Sequence, residues 1–89
     1  MWAVVITVDI NDIDEAKRSL DEDLVPMVRQ QAGFVGGYWI QLDGGHGTSV
    51  ELFESESQAR EAFPEGGSSA SSPGVTITGI EVGEVIAHA

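Results

Sequence analysis

The chain opens with Trp2 to Ile10, WAVVITVDI, a run rich in β-branched residues that predicts a strand. Trp2, Val4, Ile6 and Val8 fall on one face of it, and Ala3, Val5 and Thr7 on the other. Both faces are largely uncharged along this stretch, so the strand calls for cover on both sides. The period then changes. Ile13, Ala16, Leu20, Leu24, Met27, Val28 and Gln31 recur at helical spacing. Asn11 or Asp12 supplies the N-cap, and Asp12 with Glu15 has the form of a capping box. Pro26 lacks an N–H and crowds the preceding turn, which predicts a kink near Glu22 to Val25 or a second short helix starting there. Gly33 is placed to end the helix.

Phe34 to Leu42 returns to strand periodicity. Uninterrupted alternation puts Phe34, Gly36, Tyr38, Ile40 and Leu42 on one face, with Val35, Gly37, Trp39 and Gln41 on the other. Thr48 to Phe53 is a third strand, joined to the second by a hairpin over Asp43 to Gly47 whose glycines supply positive φ. Ser55 and Gln58 form a second capping-box pattern, opening a short helix that turns Ala59, Ala62 and Phe63 inward. Pro64 to Gly74, PEGGSSASSPG, has the composition of a flexible loop. Val75 to Ala87 is the last strand, with a bulge expected at Gly79 or Gly83.

The order strand, helix, strand, strand, helix, strand predicts an α+β, ferredoxin-like βαββαβ domain: a four-stranded antiparallel sheet with both helices on one face. The other face would then expose apolar residues of the first, second and fourth strands. That is too much for a solvated surface. Face-to-face packing in a homodimer is the simplest cover.

Size and composition sharpen this picture. At 89 residues the chain is one domain with a modest core, and with no cysteine it has neither disulfides nor thiolate metal sites. A second copy is the remaining way to add buried surface. Fifteen acidic residues against four basic ones give a net charge of −11. Lys17, Arg18, Arg29 and Arg60 are scattered, so the charge pattern argues against nucleic acid and anionic membranes as partners. The longest apolar run, Ala3 to Ile6, is too short to span a bilayer and no basic segment precedes it. A soluble, cytoplasmic protein is the expectation.

Few residues carry recognisable chemistry. Asp9, Asn11, Asp12 and Asp14 lack the glycine and terminal glutamate of a calcium loop, and helix capping accounts for them. Neither glycine pattern of nucleotide-binding loops is present. Ser55, Ser57 and the serines from 68 to 72 have no neighbouring histidine to activate them. His46, at the hairpin tip, has only Asp43 near it in sequence, and His88 sits next to the C-terminus. Trp39 and Tyr38 point to opposite faces of their strand and serve either packing or a ligand pocket.

The join LVPMVRQQAGFVGGYWI and the following DGGHGTSVELFESESQAREA resemble the dimeric α+β barrel superfamily. Within it they are similar to the small antibiotic-biosynthesis-monooxygenase-like proteins of bacteria. Ala32-Gly33-Phe34 after the first helix, and Phe53-Glu54-Ser55 before the second, are the recurring elements. The resemblance implies a homodimer with a small pocket between sheet and helices. It implies a hydrophobic or aromatic ligand and, as one activity of the family, monooxygenation without metal, flavin or other cofactor. Asn11 and Trp39 are the positions matching the family's catalytic asparagine and tryptophan, and Tyr38 and Trp39 are the expected ligand-binding pair. Asn11 falls late for this role, where a cap is expected. The Ser55 to Phe63 helix has no histidine, which departs from the heme-degrading members. The alternative reading is a non-catalytic, regulatory or stress-associated dimeric binding module.

Overall fold

A computed structural model describes residues 1–63, 71, 72 and 74–89. Its elements are β1 (Trp2–Ile10), α1 (Ile13–Ser19), a π-helical turn (Leu20–Leu24), α2 (Val25–Arg29), β2 (Phe34–Leu42), β3 (His46–Phe53), α3 (Glu56–Ala62), β4 (Ser71–Ser72) and β5 (Val75–Glu84). The sheet is antiparallel throughout, with strand order β2-β3-β1-β5-β4. Four long strands and helices on one face make an α+β arrangement compatible with the ferredoxin-like expectation. Two of the residues in the presumed 64–74 loop, Ser71 and Ser72, pair with Val75 and Thr76 as a short edge strand. Residues 64–70 and 73 of that loop lie outside the described residues.

Both predicted caps form. Asp12 accepts a hydrogen bond from the Glu15 N–H at 3.1 Å, and Ser55 Oγ accepts one from the Gln58 N–H at 3.3 Å. Pro26 acts through a π turn. The Val25 N–H bonds back to the Leu20 carbonyl, one residue further than α-helical spacing. The helix thereby restarts at Val25, and Pro26 occupies its first turn, where no N–H is needed. Val28 is buried on this restarted helix while Met27 turns outward, contrary to its predicted inward position.

Two register shifts decide which side chains meet. In β2, Phe34 pairs with Phe53 and Gly36 with Leu52, so Val35 is the extra residue. This corrects the uninterrupted alternation: Phe34 belongs to the helix side with Gly37 and Trp39, and Gly36, Tyr38, Ile40 and Leu42 belong to the opposite side. In β5 the shift leaves Thr78 unpaired between Ile77 and Gly79. The bulge therefore sits beside Gly79, where an added Cβ would stand 2.8 Å from Thr7 Oγ1. As a result Val75, Ile77, Ile80 and Val82 face the helices, and the apolar outer face is built from β1, β2 and β3. The last strand brings Thr76, Thr78 and Glu81 to that face.

The hairpin between β2 and β3 is tighter than expected. Its turn is Asp43, Gly44 and Gly45, with Gly44 at φ +85 and Gly45 at φ +79. Gly47 has no positive φ and lies inside β3, pairing with Gln41. The core gathers under α3, where Val4, Ile6, Phe53 and Ala59 are buried and Phe34 meets Phe53 edge-on at 5.7 Å between centroids. Under α1 and the π turn the packing opens. No helix among the described residues is long and apolar enough to cross a membrane.

Candidate functional site

The opening under α1 is a cavity of about 220 Å³. Its floor is the inner face of the sheet, with Ile6 and Val8 of β1, Trp39 of β2, Ser49 and Glu51 of β3 and Ile77 of β5. Its roof is the helical segment, through Ala16, Leu20 and Leu24. Small residues create the space. Ala16 brings a short side chain to the roof, and Gly47 and Ser49 leave room on the floor. A Cβ at Gly37 would stand 2.9 Å from Trp39 Cη2, so glycine there lets the indole fold back along its own strand. A Cβ at Gly47 would stand 3.1 Å from both Ile10 Cδ1 and Val8 Cγ2, closing that end. Leu20 and Leu24 stay half-buried because the π turn carries them over the cavity instead of down onto the sheet.

Glu51 is the unusual member of the lining. It is opposite Val4 in the β1–β3 ladder and opposite Gly37 in the β2–β3 ladder, and it is 0 % exposed. Neither carboxyl oxygen has a hydrogen-bond partner. Burial pushes its pKa up to about 7, while the Ser49 hydroxyl and the residue's own backbone N–H pull it back without making a bond to either oxygen. The group is therefore a carboxylic acid that exchanges its proton near neutral pH inside an apolar space. Such a group donates a hydrogen bond when protonated and accepts one, or takes up a proton, when ionised. Sequence reasoning missed it as a site residue.

The residues expected to form the site are divided by the fold. Trp39 lines the cavity. Tyr38 lies on the outer face of the sheet and is 66 % exposed, so it shares no pocket with Trp39. Asn11 is exposed in the turn before α1, where its amide donates to Thr76 Oγ1 at 3.0 Å. It is outside the cavity lining and is not brought to Trp39. His46 finds a partner that its sequence neighbours did not offer: Asp9, directly across the β1–β3 ladder, at 3.0 Å from Nδ1. Both side chains are more than half exposed, and they lie at the sheet end on the outer face. His88 is exposed beyond β5. Among the described residues no three His, Asp or Glu side chains gather as a metal site.

Glu51 makes stability depend on pH in a definite direction. The folded chain holds the Glu51 proton up to about pH 7, whereas the unfolded chain releases it near the ordinary value of 4.5. Between these limits the folded state binds more protons, so raising the pH favours unfolding. The loss is on the order of 3 kcal/mol across the window and is complete above it. Urea denaturation from pH 4 to pH 8 is expected to show the native chain losing this much relative to Glu51→Gln. Parallel pH profiles for the two proteins would contradict the burial of an unpartnered carboxyl.

No protein-family model matches the chain and no curated protein matches it, so the cavity with Trp39 and Glu51 in its wall is the feature from which function has to be read.

Proposed function

We propose that this chain is a homodimer of the dimeric α+β barrel type that binds a small hydrophobic or aromatic ligand in the cavity beside Trp39. The observation that carries the reading is the cavity itself. It measures about 220 Å³, and its walls are chiefly aliphatic and indole surface. An apolar cavity of roughly 150 Å³ holds a benzene molecule. The space here suits one substituted ring or two fused rings, with Trp39 offering an aromatic face or edge for stacking.

The outer face of the sheet supports dimerisation. Tyr38 is 66 % exposed, Ile40 45 % and Leu42 46 %, all on β2. Val50 and Leu52 of β3 and Val5 of β1 continue the patch across the ladder pairs Tyr38–Val50 and Val5–Val50. A contiguous apolar surface of this kind is uncommon on a monomer. The chain's net charge of −11 makes this mainly apolar patch the place where two copies meet with least repulsion.

Within this reading, cofactor-free oxygenation of the bound ligand is the activity implied by the family resemblance. Glu51 supports it, because removal of a substrate proton must precede reaction with oxygen and Glu51 is a carboxyl in the lining suited to accept one. The position of Asn11 favours the second reading, a non-catalytic binding module. An oxyanion-holding amide has to reach the substrate, and Asn11 is outside the cavity.

Light scattering at micromolar concentration is expected to give twice the monomer mass of 9.4 kDa, and Tyr38→Lys with Leu52→Lys is expected to return the monomer. A native monomer contradicts the dimer. For the cavity, aromatic ligands are expected to quench or shift tryptophan emission. The response should persist in Trp2→Phe and disappear in Trp39→Phe; the reverse pattern contradicts a site at Trp39.

A further inference from the structure

Glu51 is fully buried, both of its oxygens lack a partner, and it forms part of the cavity wall. Folding a carboxyl into such a place is costly. The unmet hydrogen-bonding capacity belongs to a residue that lines a space a ligand can enter. We propose that Glu51 is the recognition group of this cavity and that the ligand is a neutral, planar aromatic molecule anchored through a hydroxyl hydrogen-bonded to the Glu51 carboxyl. The inference rests on the reading of the cavity as an aromatic-ligand site and adds to it the chemical class of the ligand.

The hydroxyl is selected by elimination among simple polar groups. A carboxylate on the ligand would place like charge beside Glu51 whenever Glu51 is ionised. A carbonyl or ether oxygen only accepts, so it is satisfied by the protonated carboxyl alone. An ammonium group only donates and would be stripped of water in an aliphatic cavity with one countercharge to meet it. A hydroxyl both donates and accepts, so it bonds to Glu51 in either protonation state. This matters because burial poises the carboxyl near neutrality, with both forms populated. The apolar remainder of the cavity, Ile6, Val8, Leu20, Leu24 and Trp39, then takes the ring system.

Isothermal titration calorimetry of the full chain at pH 6 tests this with four probes of one shape: 2-naphthol, naphthalene, 2-naphthoate and 2-naphthylmethylamine. In the native protein 2-naphthol is expected to bind at least about tenfold more tightly than naphthalene, with the naphthoate weakest. Glu51→Met is expected to bring 2-naphthol down to the affinity that the same variant shows for naphthalene. Glu51→Gln, which can donate and accept but cannot titrate, is expected to keep most of the preference for 2-naphthol. Infrared difference spectra of the native protein give a readout that needs no variant. The C=O stretch of the protonated Glu51 carboxyl should shift when 2-naphthol binds and stay in place with naphthalene. Equal affinities of 2-naphthol and naphthalene for the native protein overturn the proposal. So does a naphthol preference that survives in Glu51→Met, or tightest binding of the cationic amine. If naphthalene binds and 2-naphthol gains nothing, the cavity reading stands and the role of Glu51 falls. If no probe binds, the cavity reading falls and takes the proposal with it.

Discussion

Glu51 occupies an inner-face position of a central strand, between Ser49 and Phe53 and across from Val4, where an aliphatic residue would have completed the core. The carboxyl is fully buried there without a partner, which is costly, and the cavity opens beside it under α1, whereas α3 closes over Phe53. The helical segment stands off from this half of the sheet, and the space it leaves has Glu51 and Trp39 in its wall. The rest of the core, with Val4, Phe53 and Ala59 at 0 % exposure, provides the rigid half against which the open half is held.

Backbone irregularities place the parts. The π turn over Leu20–Leu24 resolves the conflict created by Pro26, and in doing so sets Leu20 and Leu24 over the cavity. The β2 bulge at Val35 moves Phe34 to the inner face while keeping Trp39 there. Without it, Phe34 and Trp39 would lie on opposite faces, and either the edge-on contact with Phe53 or the indole wall of the cavity would be lost. The bulge at Thr78 does the same for β5, turning Ile77 toward the cavity and Ile80 toward the core from one strand. Each is a one-residue shift, and in a strand one residue exchanges the two faces.

That sensitivity explains what was legible in the sequence. Helix starts at Asp12 and Ser55, the strand periods and the order of elements are local signals, and each could be read from a few neighbouring residues. The split of Trp39 and Tyr38 onto opposite faces followed from period two and holds. The face of Phe34 did not follow, because a bulge depends on the partner strand. The His46–Asp9 pair was invisible for the same reason: its members are adjacent only across the ladder. Asn11 was assigned a role by resemblance, but its place in the turn, bonded to Thr76, depends on how β5 returns alongside β1. Glu51 was the nearest miss. It alternates with Phe53 and so shares its face, but which face turns inward is fixed by the ladder with β1.

The functional account follows from the same group. A cavity of aliphatic and indole surface would favour any apolar molecule of suitable size, and a buried carboxyl poised near neutrality makes the choice chemical as well as steric. The most direct test is site-resolved titration of the glutamate side chains by carbon NMR, using ¹³C-labelled glutamate and Glu51→Gln for assignment. The account predicts one carboxyl, absent from the variant, that titrates near pH 7 and shows an upfield, protonated shift at pH 6. If the resonance assigned to Glu51 titrates near the ordinary value of 4.5, the carboxyl is solvated, and the buried recognition group at the centre of the account does not exist.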